Sequence, residues 1–425
     1  MIQKSKVTFD YKKSLTVFMA FFPILNQYSI GSLPFGDLIS LFYIVLFVFF
    51  FKNKLDINFS RSSKIFFIFL LYVFLSLPLL LIIKAEIDFF DIFTKSFHLI
   101  LYSVFAFIVA KKMCDLRLLS YLVKKISIFC SYILIIEQIL SVFFHVRLYL
   151  LIPFLRLNYA LKSYDDYVRT YSYVLKFQSY RPTAIFLEPS HACMYVIIGL
   201  AIILSQTNKS KSDFIHIFVI VLSIICSYST SGMLCGLFCI SYYAFFVKSI
   251  NKKEVYFKCG VVTICLLGVL FVVVGNEDIF KTLYGRIEKI GTDMYDSSGN
   301  RRVLRGLYVW NDMPMITKLF GTGLGCLLQD IANNNIMVLT DTEYIEEMNT
   351  VFCTMSTFGL TGSILYFTSI IKNLFYKQST NLQRMVIVSY LFSCFYSNWI
   401  YHAVIILYYI FIFYDDDYIN ENKYF

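Results

Sequence analysis

The residues with the greatest chemical capacity lie in the stretch RPTAIFLEPSHACMYV, Arg181–Val196, which runs directly into an apolar segment. Arg181 and Glu188 stand seven residues apart, followed at once by Ser190 and His191, at the mouth of what reads as a membrane helix. Ionisable groups in such a place are costly and are kept where they act on something. A guanidinium and a carboxylate together offer an anion grip and a proton acceptor. Pro189 favours the first turn of a helix, so a helix is expected to start near Glu188. Glu188 would then sit at the positive end of that helix, where free N–H groups suit a carboxylate or an incoming phosphate oxygen. The simpler alternative is that Glu188 caps the helix and Arg181 pairs with it at the headgroup boundary.

A second cluster occupies SGNRRVLRGLYVWNDMP, Ser298–Pro314. At 100° per residue Val303, Leu307 and Trp310 share one face, and Arg301, Arg305 and Asp312 the opposite one, with Arg302 at its flank. This predicts an amphipathic helix on the outer leaflet, anchored by its Trp. Three arginines so close offer planar forks matched to a pyrophosphate, although a headgroup-facing surface would look the same. Next comes FGTGLG, Phe320–Gly325, with glycines at 321, 323 and 325. It lacks the Lys-Ser/Thr of a phosphate loop and a preceding strand, so Gly321, Gly323 and Gly325 read as a structural turn beneath the Arg helix.

The elements that must position these groups are apolar helices. The chain is 58% hydrophobic and 16% charged, outside the range of a soluble domain of 425 residues. Abundant Phe and Tyr fit lipid-facing helices with interfacial aromatic belts. The net charge of +10 does not indicate nucleic acid, because the Lys and Arg sit in short loops between apolar runs. About twelve spans are expected, near 14–33, 35–51, 65–83, 90–110, 126–146, 187–205, 213–229, 231–248, 256–275, 350–371, 384–398 and 400–414. The last two are short, and one long helix broken at Ser397-Asn398 is the competing reading. With a cytoplasmic N-terminus, 23 of the 38 Lys and Arg fall on cytoplasmic segments, which sets both termini inside. The basic N-terminus precedes an apolar run without a small-residue cleavage site and reads as a retained first helix.

Residues 1–425 therefore read as a single all-α polytopic membrane domain with two long extracytoplasmic loops, 147–186 and 276–349. These loops carry the basic residues that escape the orientation rule, and so are free to bind. Cysteines such as Cys130, Cys193, Cys226, Cys265 and Cys353 lie in apolar stretches, Cys326 stands alone in a loop, and no zinc spacing appears. Lys95, His98, Glu137 and His402 should face the bundle interior or snorkel, as satisfied structural groups or, alternatively, as members of a polar relay. Asp165-Asp166 is not the DxD signature of nucleotide-sugar transferases, Asp415-Asp416-Asp417 reads as solvated tail, and no metal site is expected.

The stretch RP-x-x-x-FLEPSH-x-x-x-Y (Arg181–Tyr195) resembles the start of a span in O-antigen and capsule polymerases of the Wzy type. NRRVLRG (Asn300–Gly306), LFGTGLG (Leu319–Gly325) and NTVFCTMSTFGLTGSILYF (Asn349–Phe367) follow in an order similar to that of the O-antigen polymerase/ligase superfamily. The likeness covers roughly residues 181–370. It implies a GT-C-like glycosyltransferase of the bacterial inner membrane, acting on undecaprenyl-diphosphate-linked oligosaccharide without nucleotide cofactor or metal. It also implies a chain-length regulator and a flippase of the same pathway as partners. The product would be O-antigen, capsule or another exopolysaccharide.

On this reading Arg181 and Arg305, with Arg301 or Arg302, hold the diphosphate, and Glu188 positions or deprotonates the acceptor hydroxyl. Ligases of the superfamily usually show a functional His in the large outer loop; none occurs between 276 and 349, which favours the polymerase. A flippase or exporter is the rival from another class. Transporters usually show two related halves with a midplane site, whereas the long loops here follow spans five and nine.

Overall fold

The computed structural model describes residues 2–31, 33–51, 61–83, 89–110, 114–148, 150–152, 155–157, 180–206, 209–247, 255–256, 258–263, 298–327, 330–331, 348–377 and 379–414. The chain forms helices α1 (Ile2–Leu25), α2 (Phe35–Phe51), α3 (Arg61–Ile83) and α4 (Phe89–Val104), the last running into a π-helical turn, Phe105–Ala110. There follow α5 (Leu116–Phe144), α6 (Pro189–Ser205), α7 (Lys211–Cys226), α8 (Thr230–Phe246), α9 (Ser298–Asp312), α10 (Met315–Phe320), α11 (Thr350–Phe375), α12 (Asn381–Ser393) and α13 (Ile405–Phe413). Among the described residues three helices are long and apolar enough to cross a membrane: Phe89–Phe107, α5 and α11. Four shorter apolar ones are Phe35–Phe49, Ser62–Leu77, α6 and α8. Most of the two expected loops and residues 264–275 of the expected ninth span lie outside the described residues.

The element at the centre is α6. It is apolar all round, and every residue from Ala192 to Leu204 is buried, as expected of a helix enclosed by others. Helices α5, α7, α8 and α12 pack around it. A methyl on Gly199 would fall 2.3 Å from the Ser127 side chain, so α5 and α6 approach closely there. At the opposite end from Glu188, Lys124 of α5 bonds Asp213 of α7 at 2.7 Å.

Several boundaries differ from the sequence expectation, each for a local reason. The first helix ends at Leu25, not near 33. Asn26 accepts the Asp37 N–H (3.1 Å) and donates to the Tyr102 hydroxyl (3.1 Å), turning the chain into a small antiparallel sheet. That sheet has the order β2 (Leu33–Pro34), β1 (Tyr28–Ile30), β3 (Arg156–Leu157), the one departure from an all-α chain among the described residues. Helix α5 starts ten residues earlier than expected, where the Asp115 carboxylate accepts the Arg117 and Leu118 N–H groups. The final apolar run forms two short helices, α12 and α13, parted at the Ser397-Asn398 break rather than one long helix. Residues 394–404 are turns, and α13 has nine residues, about 14 Å, all buried.

Helix α11 is broken at Gly359 within FGLTG, with φ 69° and ψ −180°. The break frees carbonyls that an apolar setting cannot leave unpaired. The Thr322 N–H donates to Ser356 (2.9 Å), and the Gly323 N–H to Thr357 (2.9 Å). The Tyr72 hydroxyl reaches Phe358 (3.1 Å) and Phe320 (2.8 Å). FGTGLG and FGLTG therefore interlock backbone to backbone. A methyl on Gly321, at φ 87°, would lie 2.3 Å from the Thr357 carbonyl oxygen, and one on Gly359 would lie 2.4 Å from the Gly321 nitrogen. Gly323 and Gly325 also take positive φ.

The stretch that carries Arg181 and Glu188 is held by buried polar side chains. Glu137 of α5, 0% exposed, accepts the Thr183 (3.1 Å) and Ala184 (2.9 Å) N–H groups at Oε2, and Ala184 takes a left-handed φ of 51°. The Gln27 amide donates to Ile185 (3.2 Å) and accepts the Leu187 N–H. The Tyr180 hydroxyl donates to Leu148 (2.8 Å).

Two outcomes follow. Gly321→Ala should lower the melting temperature in detergent more than Gly31→Ala. Both carry the positive-φ strain of about 1–3 kcal/mol, but an added methyl at Gly31 meets nothing within 4 Å. Equal losses would remove the interlock as the cause. Glu137→Leu should speed hydrogen exchange of the 180–187 peptide, since two buried donors lose their acceptor, while Glu137→Gln should retain most of the protection. Unchanged exchange in Glu137→Leu would show that the carboxylate does not hold this turn.

Candidate functional site

Glu188 has extended backbone (φ −132°, ψ 146°) just ahead of α6, with Pro189 as the first helical residue. Its carboxylate makes no capping hydrogen bond. Among the described residues Arg181 forms no ion pair with it, so neither half of the simpler reading is seen. The side chain is 36% exposed, and its Oε2 accepts the Ser190 hydroxyl at 3.0 Å. His191 Nε2 lies 3.7 Å from the same oxygen, one helical turn on.

Arg181 is half-buried, and its Nε has no hydrogen-bond partner among the described residues. It lies within electrostatic range of Cys193, where α6 meets the Ser227–Gly232 turn between α7 and α8. Arg181 and Glu188 both lie near the first turns of α6. Both belong to the loop that Glu137 and Gln27 pin down.

Arg301, Arg302 and Arg305 fall in α9, with the side chains of Arg301 and Arg302 outside the described residues. Arg305 is 4% exposed. The buried face of α9 is Arg305, Gly306, Val309 and Met313, whereas Leu307 is 39% exposed. This corrects the expected placement of faces. Gly306 carries no side chain and sits against Phe352, where an added methyl would fall 2.5 Å from the Phe352 Cβ. Helix α9 therefore docks on α11 along the Gly306 line and draws Arg305 inward. An apolar stripe anchored in lipid, read from 100° periodicity, gives way to a protein contact made possible by one glycine.

The N-terminal turn of α11 meets α9 directly and reaches the Arg181–Val196 stretch through Trp399. Gly306 meets Phe352 there. Two residues earlier the Thr350 hydroxyl donates to Ser397 (2.7 Å) and accepts the Trp399 N–H (2.9 Å). Trp399, 2% exposed, stands edge-on to His191 with ring centres 5.7 Å apart and to His402 at 5.3 Å. His402 Nε2 is 3.2 Å from His191 Nδ1. A continuous path of contacts therefore runs from α9 through α11 and the 397–402 turns to His191 and Glu188.

Sequence reasoning did not assign Trp399 or His402 to this site, and treated Glu137 as merely satisfied. The only signal was an ionisable residue inside an apolar run; a separation of more than two hundred residues hides the pairing of His191 with His402. The other two groups expected to be satisfied are so: Lys95 bonds Asp91 (2.7 Å) and His98 bonds Asp37 (2.9 Å). Cys326 is buried. Among the described residues no three His, Cys, Asp or Glu side chains are grouped to hold a metal ion. Chemically, the arrangement offers a partly exposed carboxylate backed by imidazoles, with a half-buried Arg181 on the same loop and a buried Arg305 on α9.

No curated protein matches the sequence. A family model described as WcaD colanic acid polymerase matches residues 39–414, which takes in α3 to α13 and every residue of the site. That family indicates a polysaccharide repeat-unit polymerase, a glycosyltransferase-type enzyme acting on lipid-linked oligosaccharide in a membrane. From the broken helix to the Arg305 face, the matched region carries the whole arrangement described above, and the chain belongs to the WcaD colanic acid polymerase family.

Proposed function

We propose that this chain is a Wzy-type polymerase with GT-C-like architecture and about twelve spans. It joins undecaprenyl-diphosphate-linked repeat units at the outer face of the bacterial inner membrane and releases undecaprenyl diphosphate. Both termini face the cytoplasm, and residues 147–186 and 276–349 form the two outer loops. The growing chain on its lipid is the donor, and a sugar hydroxyl of the next lipid-linked repeat is the acceptor. As the hydroxyl oxygen bonds the anomeric carbon, the bond to the diphosphate breaks and its electron pair leaves with the diphosphate.

Charge grows on the leaving group, where guanidinium donors in a water-poor pocket act most strongly. Arg181 and Arg305, with Arg301 or Arg302, take that role, and Glu188 accepts the hydroxyl proton. The observation that supports this reading is the linkage of the two Arg stretches by way of the first turn of α11, through Gly306–Phe352 and Thr350–Trp399–His191. Arg305 is buried and Arg181 keeps an enclosed Nε, which supports a role for both in holding an anion.

The purified protein in detergent should lengthen lipid-linked repeats with no second compartment present. Failure of well-folded protein to do so, alongside movement of the glycolipid across liposomes, would assign it to transport instead. Arg181→Ala and Arg305→Ala should each slow elongation by roughly 10²–10³, leaving the host with single-repeat glycolipid. Arg305→Lys, which keeps charge but loses the planar fork, should also be impaired while sparing the fold. Normal long-chain ladders from the folded variants would discard these assignments.

A further inference from the structure

The two histidines behind Glu188 are joined in a way that sets the direction of every proton between them. The Val404 backbone N–H donates to His402 Nδ1 at 3.3 Å. A backbone amide can only donate, so that nitrogen holds no proton, and a neutral His402 must carry its proton on Nε2. That Nε2 lies 3.2 Å from His191 Nδ1, the two rings being tilted at 47° with their centres 3.8 Å apart, so with the proton on Nε2 His402 is the donor and His191 Nδ1 the acceptor. A neutral His191 then carries its proton on Nε2, the atom 3.7 Å from Glu188 Oε2. The Ser190 hydroxyl donates to the same oxygen at 3.0 Å.

We infer that His402 and His191 are positioning residues for the reaction, a tautomer-locked pair whose last N–H closes on Glu188 Oε2 when substrate is seated and leaves Oε1 to the acceptor hydroxyl. The inference rests on the role given to Glu188 above and adds to it a mechanism of orientation. No proton passes along the pair. The imidazoles stay neutral, the acceptor's proton goes to Oε1, and the bond changes at the anomeric carbon are those already given. A gap of 3.7 Å is too long for a hydrogen bond in the resting enzyme, and such contacts commonly close when substrate is seated. Trp399 packs against both rings, at 66° to His191 and 90° to His402. The pair joins the first turn of α6 to the turn ahead of α13. Glu188 is therefore set by two elements distant in sequence, not by its own loop alone.

The test measures kcat and KM of the purified protein with lipid-linked repeat units, using His402→Leu, His402→Gln, Glu188→Gln and the double variant Glu188→Gln/His402→Leu. Glu188→Gln should lose roughly 10²–10⁴ in kcat. His402→Leu should lose about tenfold in kcat, the effect of one lost orienting bond, with KM unchanged because the lipid diphosphate is gripped elsewhere. His402→Gln, whose amide N–H can donate to His191 Nδ1, should recover most of that loss. The double variant should be no slower than Glu188→Gln, since orienting a carboxylate that is absent has no effect. If His402→Leu fails to fold, His191→Leu breaks the same line at the next link. Wild-type kcat in the folded leucine variant, no rescue by Gln, or a full extra tenfold loss in the double variant would overturn the inference and leave Glu188 as base. Wild-type activity in Glu188→Gln would instead remove the catalytic reading itself.

Discussion

The break in α11 at Gly359 is the constraint on which the rest of the structure depends. An interrupted helix in apolar surroundings exposes carbonyls that water cannot reach, and each must find a donor in the protein. Here the donors come from one short segment, Thr322 and Gly323, with the Tyr72 hydroxyl of α3 completing the set. Because these are main-chain bonds, they fix the FGTGLG backbone against α11 with little freedom to slide. The approach is so close that only glycine fits at 321 and 359, where any Cβ would meet backbone atoms under 3 Å away. Through this clamp α10 and α9 are held to α11, and with them Arg305.

The same physics operates at the other half of the site with side chains as the donors and acceptors. The 180–188 stretch is irregular and largely buried, so its amides cannot rely on water. Glu137 and Gln27 take them up instead, one from α5 and one from the turn after α1. A buried carboxylate is an expensive way to bond two amides, and it is sustained where the turn it shapes has a use. The left-handed Ala184 shows how far that turn departs from an ordinary connection. Rigid footing on both sides lets a membrane enzyme hold charged groups at set positions next to lipid, which is what transition-state stabilisation asks of them.

Much of the architecture is legible from composition and hydropathy, because burial in lipid or among helices requires long apolar segments whichever way they pack. α2, α3, α6 and α8 fall on the apolar runs, and Pro189 marks the start of α6. The turns at 26–34 and 394–404 are not legible in this way, since both depend on bonds to distant residues: Asn26 to Tyr102 and Asp37, Thr350 to Ser397 and Trp399. The faces of α9 depart from the periodic expectation for a related reason. Periodicity ranks side chains by polarity, whereas the helix docks through a glycine that has no polarity to rank, and a buried Arg comes with it.

The sequence by itself determined that this is a helical membrane protein, and it singled out Arg181, Glu188 and the 301–305 cluster as the residues whose types could do chemistry. Apolar length, local charge and the cost of ionisable groups near lipid are properties of single segments. Tertiary structure alone decided that His402 stands behind His191, that Trp399 packs against them, and that Glu137 shapes the Arg181–Glu188 turn. Those pairings join helices far apart in the chain, and only the packing of α5, α6, α11 and the closing turns brings their side chains within bonding distance.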